Sequence, residues 1–315
     1  MQGVTSSSPI FIELAMQAVL ASRIFFIYLP NYQFVAPYRT LINIKSQSRM
    51  EKISPAIYSQ INNEVYKSEG DIWWKPDTVL HLLKTSVNPW RVGFAKRILS
   101  ELKIDPNGKT ALEVGSGGGI LTEEIHKMGF KTSGIDPAEE SVNTARQHAR
   151  AQGFDIHYEL GSGESIPYSD ASVDVIFCCD VLEHVQDLPK VIAEISRVLK
   201  PDGVFIYDTL NRTFISKLVA IKIWQQWNRW SFMPENLHVW KMFIKPAEIR
   251  ALLLKHGFEW KEHVGSKPNV SIPTMLSYLR KRKTGKWTYA DLGANFRLIE
   301  DKDMNILYGG YAIKR

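Results

Sequence analysis

The chain has 315 residues, of which 44% are hydrophobic, 11% aromatic and 23% charged. This composition is typical of a folded globular protein and excludes a disordered tail, a collagen-like chain and a disulfide miniprotein. The formal net charge is +6, and half of it comes from residues 1–50, where four basic residues accompany one acidic residue. Because the rest of the chain is nearly balanced, its charge does not predict nucleic-acid binding. The only two cysteines, Cys178 and Cys179, are adjacent in an apolar run, which predicts a reducing compartment and no disulfide framework.

Residues 1–49 form an N-terminal extension with three competing interpretations. The stretch from Ile10 to Leu29 is long and apolar, but Glu13, Gln17 and Arg23 interrupt it and weaken it as a membrane-spanning helix. Its serines and its scarcity of acids are also typical of a targeting presequence. The third interpretation is that translation begins at Met50, so that the extension is not translated.

Residues 50–105 predict a helical cap, in which Trp73 and Trp74 form an aromatic pair and an Asn88-Pro89 turn starts a helix. From residue 106 to 315, short β-rich runs alternate with amphipathic stretches of helical length, which predicts a parallel sheet with crossover helices. The expected strands are 110–114, 131–135, 155–160, 173–179 and 204–208, and the expected helices between them are 120–129, 140–153 and 188–203. An insertion, 211–245, precedes a helix over 246–257. Two apolar runs, FEWKEHV and MNILYGGYAIK, are expected to complete the sheet.

A glycine-rich turn follows the first strand directly, with Gly115 and Gly117 inside the run EVGSGGG. Glycines let the backbone turn sharply and approach a ligand, and the following helix offers free N–H donors. Asp136 ends the second strand 21 residues after Gly115, where a carboxylate can bind both hydroxyls of a ribose. This spacing suits either NAD or S-adenosylmethionine.

The turn after the third strand favours S-adenosylmethionine. Residues 161–167, together with the fourth strand and the run RVLKPDG, resemble the pattern of class I methyltransferases. That resemblance implies an α/β, Rossmann-like fold with a seven-stranded, mostly parallel sheet and helices on both faces. Ser162 stands where the pattern usually has Asp, so its hydroxyl and the backbone groups of Gly163 and Glu164 are expected to contact the adenine.

Further motifs narrow the resemblance to one family. They are WW at 73–74, NPWR at 88–91, EVGSGGGILTEEI at 113–125, DVLEHV at 180–185, TLNRT at 209–213 and FIKPAEI at 243–249. Together they resemble the ubiquinone-biosynthesis O-methyltransferases over roughly residues 60–260. The resemblance implies methyl transfer from S-adenosylmethionine to phenolic hydroxyls of prenylated benzenoid precursors at a membrane surface, and other quinone-biosynthesis enzymes as partners.

The same resemblance implies roles for individual residues. Arg91, Gly115, Asp136 and Cys179 match positions that contact the cofactor, and a guanidinium such as that of Arg91 can clamp the methionine carboxylate. The acid-x-x-acid-His motif at residues 180–184 matches the family's metal ligands.

Asp180, Glu183 and His184 follow the fourth strand at positions i, i+3 and i+4. If the chain is helical there, these side chains share one face at the carboxyl edge of the sheet, where they can hold Mg²⁺ or Zn²⁺. Such an ion would lower the pKa of catechol-like oxygens. The alternative is that no metal binds and that His184 is a wall of the pocket or a general base. His184 is the expected catalytic residue in either case.

The insertion combines aromatic and basic side chains between Thr213 and Pro234, among them Trp224, Trp227, Trp230, Lys217, Lys222 and Arg229. This combination suits a membrane interface. The alternative is a helical lid whose aromatics pack over the active site, and a long prenyl tail on the substrate makes the two interpretations compatible. The predicted location is therefore the cytoplasm at a membrane surface, or alternatively the matrix side of the mitochondrial inner membrane.

Two other functions stay open. One is methylation of a different acceptor, either a soluble phenol or a carbon nucleophile, on the same fold. The other is a cofactor-binding homologue without turnover, against which the intact carboxylates and imidazole at residues 180–184 argue.

Overall fold

A computed structural model describes residues 48–67, 72–227 and 231–315, all of which belong to one unit, Ser46–Arg315. The predictions for residues 1–47, and those for Arg229 and Trp230, lie outside the described residues. Among the helices of the described segments, none has the length and hydrophobicity that crossing a membrane requires.

The centre of the fold is a sheet in the order β3-β2-β1-β4-β5-β8-β6-β7. Its strands are β1 Thr110–Val114, β2 Lys131–Asp136, β3 His157–Leu160, β4 Val173–Cys179, β5 Leu199–Leu210, β6 Phe258–Pro268, β7 Leu298–Asp301 and β8 Leu307–Lys314. The first five are parallel, and β8, β6 and β7 continue the sheet in antiparallel pairs.

The α/β, mostly parallel class is therefore confirmed, but the described sheet has eight strands and the expected number, seven, was wrong. The eighth strand exists because β6 continues past the apolar run that predicted it. Its last residues, Gly265–Pro268, pair with the short edge strand β7.

Helices cover both faces of the sheet. The longer ones are α1 Asn88–Glu101, α2 Thr122–Lys127, α3 Glu139–Gln152, α4 Leu188–Val198, α5 Pro246–Lys255, α6 Ile272–Lys283 and α7 Tyr289–Asn295. The core on one face includes residues of α4 and α5, and the core on the other includes residues of α1 and α2. Cys178 packs into the first core and Cys179 into the second, because successive side chains of a strand point to opposite faces.

Shorter helical segments build the cap and the insertion. The cap contains a helical turn at Pro55–Tyr58, a 3₁₀ helix at Asn63–Lys67 and a π-helical segment at Leu83–Val87, which leads into α1. The insertion begins with a helical turn at Phe214–Ser216 and continues as a π-helix over Lys217–Gln226. A 3₁₀ turn at Trp240–Met242 precedes α5.

Candidate active site

The glycine loop follows β1 at the carboxyl edge of the sheet. Gly115 and Gly117 have positive φ angles of 79° and 50°, which a residue with a Cβ rarely adopts. A Cβ at Gly115 would overlap the side chain of Val181 in the turn after β4. The amides of Gly115 and Ser116 both donate to the carbonyl of Ile135 in β2, at 2.8 and 2.9 Å. The loop is therefore held tightly against the ends of two neighbouring strands.

Asp136 ends β2 and is tied to this loop. One carboxylate oxygen accepts the amide of Gly117 and the other accepts the amide of Ala138, each at 2.9 Å. Burial raises the pKa of Asp136 to about 6, although both amide bonds favour the charged form. Each carboxylate oxygen can still accept a second hydrogen bond, so the side chain can organise the loop and bind a ligand hydroxyl as well.

The turn after β3 lies beside Asp136. The amide of Gly161 donates to the carbonyl of Asp136 at 3.2 Å, and the carbonyl of Ser162 accepts the amide of Ser165 at 3.1 Å. A Cβ at Gly163 would come within 3.2 Å of Val191 in α4, so this turn packs closely against the next helix. The predicted adenine-binding residues thus stand next to the predicted ribose-binding residue.

Aromatic residues of the cap cover the glycine loop. A Cβ at Gly117 or Gly118 would overlap the indole of Trp73, and the indole N–H of Trp74 donates to the carbonyl of Gly118 at 2.9 Å. The Tyr66 ring stacks on Trp73 at 5.8 Å between centroids and meets His184 edge-on at the same distance. The cap therefore joins the loop after β1 to the turn after β4.

Arg91 of α1 is buried against two carboxylates. It donates to Asp208 through Nε at 2.6 Å and through Nη2 at 2.8 Å, and Nη2 also lies 2.7 Å from an oxygen of Asp180. Its remaining nitrogen donates to Asn88 at 3.2 Å. Burial alone would raise the pKa of Asp180, but the charge of Arg91 outweighs that effect and lowers it. Asp180 is therefore held as a counterion of Arg91.

Glu183 and His184 face a different residue, His238, which lies near the end of the insertion. Glu183 Oε1, His184 Nε2 and His238 Nδ1 have no hydrogen-bond partner among the described residues. One ligand atom from each residue can be chosen so that all three lie within 4.8 Å of one another. His184 Nδ1 is 3.3 Å from Asn63 Oδ1, which can only accept, so Nε2 carries the lone pair.

Burial determines the charge states in this cluster. It raises the pKa of Glu183 to about 8, with the charge of Asp180 adding to the effect. Burial and the neighbouring His238 lower the pKa of His184 to about 3, and burial lowers the pKa of His238 to about 4. At neutral pH both imidazoles are consequently uncharged, and each offers a lone pair to a hydrogen-bond donor or a cation.

The structure brings the predicted residues to one edge of the sheet, but the three expected metal ligands do not form one group. Asp180 contacts Arg91, while Glu183 and His184 group with His238. No sequence pattern predicted His238, Asp208 or Asn63 as site residues. Asp208 could have been found as the last acid of the fifth expected strand, whereas His238 and Asn63 are far from His184 in sequence and no local pattern marks them.

Comparison with known proteins agrees with this fold. Residues 112–207 match the family model for a methyltransferase domain. The magnesium protoporphyrin IX methyltransferase of Synechocystis has a TM-score of 0.50 at 15% identity, over 78% of this chain and 91% of that structure. The fold and the loop after β1 define an S-adenosylmethionine-dependent methyltransferase.

Relatives of higher identity identify the family. The ubiquinone biosynthesis O-methyltransferase of Methylococcus capsulatus is 36% identical over 59% of this chain and 76% of its own length. The protein of that name from Caulobacter sp. strain K31 is 32% identical over 73% of this chain and 89% of its own length. The chain belongs to the ubiquinone biosynthesis O-methyltransferase family, as its motifs indicated, and is an O-methyltransferase.

Proposed function

We propose that this enzyme methylates a phenolic hydroxyl of a prenylated benzenoid precursor in ubiquinone biosynthesis. The observation that carries the proposal is the unpartnered His184 Nε2, a neutral acceptor beside Glu183 and His238 at the edge of the sheet where the glycine loop lies. The names of the relatives supply the class of acceptor.

The residues proposed to hold the cofactor lie along this edge: Arg91, Gly115, Gly117, Asp136, Ser162, Gly163 and Cys179. The buried loop and Asp136 support a site for the ribose, and the turn after β3 supports one for the adenine. Cys179 is buried and its pKa is raised well above the ordinary value, mainly by burial, so it contributes apolar surface and not a thiolate. Arg91 would bind the methionine carboxylate with Asp208 as a fixed counterion.

Methyl transfer is an in-line displacement that depends on alignment. The phenolic oxygen forms a bond to the methyl carbon while the carbon–sulfur bond breaks, and adenosylhomocysteine leaves. The phenolic proton must also leave, and His184 Nε2 is the proposed acceptor, a role that requires its lowered pKa to rise when the negative charge of the phenolate develops beside it. The contact between Nδ1 and Asn63 fixes the imidazole in the tautomer that can accept it.

A divalent cation is the alternative partner for these side chains. The donor set fits one, since the Glu183 carboxyl group and two neutral imidazoles leave unpartnered atoms close together, and a bound cation would favour the ionised form of Glu183. We propose Glu183, His184 and His238 as ligands, with Asp180 kept by Arg91. A bound cation would supply Lewis-acid stabilisation of the phenolate. His184 would then be a ligand, and the two roles are separable by experiment.

We also propose that the insertion contacts a membrane surface, which would bring a prenylated acceptor to the site. Phe214 at its start is 75% exposed, and Lys222 is exposed as well. Ile221 and Trp224 instead pack against a buried cluster that includes Trp90 and Phe243. The insertion thus packs on the fold through some of its apolar residues and exposes both an aromatic ring and a cation.

The proposed function is tested by incubating the protein with labelled S-adenosylmethionine and either a prenylated or a plain catechol, with and without a chelator. We expect transfer to the prenylated catechol, and His184→Ala should lower kcat about 10²- to 10⁴-fold. His157→Ala, which changes an exposed histidine on β3, is the matched control.

Each other outcome has a defined meaning. Transfer to plain catechols alone would reject the prenylated acceptor, and no transfer with retained cofactor binding would indicate a non-catalytic homologue. Turnover that a chelator leaves unchanged would reject the metal. If a metal binds, calorimetric titration should show weaker binding in His238→Ala than in the unchanged protein.

A further inference from the structure

Arg49 is completely buried, although it comes from the segment that precedes the cap. Its Nη2 donates to the carbonyl of Leu182 at 3.1 Å and to the carbonyl of Val185 at 2.7 Å. These two carbonyls bracket Glu183 and His184. One guanidinium nitrogen therefore holds the backbone on both sides of the two residues on which the proposed chemistry depends.

The adjacent residues reinforce this contact. The amide of Ile53 donates to the carbonyl of Gln186 at 2.9 Å, and the side-chain amide of Gln186 donates back to the carbonyl of Ile53 at 3.1 Å. Ser48 Oγ donates to Glu248 of α5 at 3.2 Å. We call residues 48–53 the strap, because they cross the turn 180–187 and bond to it at both ends of the Glu183–His184 pair.

The turn needs such support because it belongs to no strand or long helix. Asp180 has a positive φ of 55°, and the amide of His184 closes a short turn onto the carbonyl of Val181 at 2.8 Å. Buried carbonyls without a ladder partner require a donor. Arg49 supplies this donor. Its Nε and Nη1 are buried without partners among the described residues, which lowers the stability of the folded protein.

The charge state of Arg49 is compatible with this role. Burial, together with repulsion from Arg212, lowers its pKa to about 10, so the guanidinium stays protonated at neutral pH and keeps all its donors. A buried cation that bonds mainly to backbone carbonyls contributes little to folding by charge pairing alone. Its placement is better explained by the orientation of the backbone that it binds.

We propose that Arg49 is a positioning residue that fixes the turn carrying Glu183 and His184, and that the strap is part of the active-site architecture. The inference rests on the proposed function, because it assigns the strap an effect on methyl transfer through His184. Arg49 itself touches neither substrate nor cofactor in this scheme.

The test is a double-mutant cycle in the full-length chain with Arg49→Met and His184→Ala. We expect Arg49→Met to lower kcat about 10- to 100-fold, since small displacements of aligned groups have effects of this size. The KM values and the affinity for adenosylhomocysteine should change about twofold or less. In the His184→Ala background the same substitution should have almost no further effect on kcat.

A second readout does not depend on activity. The His184 imidazole resonance, assigned by its loss in His184→Ala, should shift in Arg49→Met. Lys314→Met is the matched control, because Lys314 also donates to backbone, the carbonyl of His256 at 3.3 Å, but lies near the opposite end of β5. It should leave both kcat and the resonance unchanged.

If Arg49→Met does not fold, Gln186→Ala decides the question by removing a weaker bond of the strap, and a smaller decrease in kcat with a shifted resonance is expected. An unchanged resonance, or a loss of kcat that is equally large without His184, would overturn the proposal. If no acceptor is methylated at all, the proposed function fails, while the resonance still tests the strap.

Discussion

At the scale of single residues, Glu113 is a buried acid next to the glycine loop, and its ionisation affects the stability of the fold. It lies at the end of β1, is fully buried, and accepts a hydrogen bond from the Thr122 hydroxyl. Burial raises its pKa to about 8, and Thr122 and Arg91 oppose the shift without cancelling it. The folded protein therefore holds a proton on Glu113 at neutral pH, whereas the unfolded chain releases it near its ordinary value of 4.5.

This difference predicts how stability depends on pH. Because the folded-state pKa is raised, the contribution of Glu113 is fully present below about pH 4.5 and declines as pH rises towards about 8. In Glu113→Gln that decline should be absent. Urea unfolding at several pH values between these limits measures it, with the exposed Glu51→Gln as control. Equal pH slopes in Glu113→Gln and the unchanged protein would contradict the prediction.

The residues of the site were predictable where a local pattern marked them. Asp136 was found from its spacing to the glycine turn, and Glu183 and His184 from their position after a strand. The partners of these residues were not predictable in the same way. Whether Asp180 faces a cation site or Arg91 depends on how α1 packs on β5, and His238 reaches the site only because the insertion returns to it.

At the scale of elements, the contact between the cap and the glycine loop can be tested with one methyl group. A Cβ at Gly118 would overlap Trp73, so Gly118→Ala should displace the indole and lower the affinity for adenosylhomocysteine about tenfold or more. Gly93→Ala is the control. Gly93 lies inside α1 with no atom within 4 Å of an added Cβ, so this variant should gain about 0.5–1 kcal/mol of stability. Calorimetry and urea unfolding measure the two effects, and unchanged affinity in Gly118→Ala would contradict the prediction.

Helices and strands were predicted best where the hydrophobic pattern agrees with the residues that begin and end them. The limits of β1 and β4 match those predicted, and α3 ends before Gly153, whose φ is 71°. The prediction was less complete where the limits of a strand depend on its pairing with a neighbouring strand. β5 starts earlier than its apolar run because it pairs with β4 from Leu199, and β7 has four residues and exists only beside the end of β6. Short edge strands carry too little pattern of their own to be recognised.

At the scale of the whole molecule, the proposed acceptor poses a problem of access, because a prenylated substrate is held in lipid while the site lies within a folded domain. The exposed residues of the insertion offer a solution. Phe214 has apolar surface exposed to water, and transferring a side chain of this size to an apolar environment gains about 1.5–3 kcal/mol. The exposed Lys222 of the same insertion would add about 1 kcal/mol at an anionic surface.

These magnitudes predict that the protein cosediments with vesicles containing phosphatidylserine, and less with vesicles of phosphatidylcholine alone. Phe214→Ser should weaken this binding about tenfold, in proportion to the apolar surface lost. Leu254→Ser is the matched control, because Leu254 is also an exposed apolar residue, 55% exposed, but belongs to α5 and not to the insertion. Equal losses in the two variants would mean that binding depends on general surface hydrophobicity. If Phe214→Ser reduced turnover of a prenylated acceptor only when vesicles are present, the contact would serve substrate capture, since the chemistry at His184 would be intact.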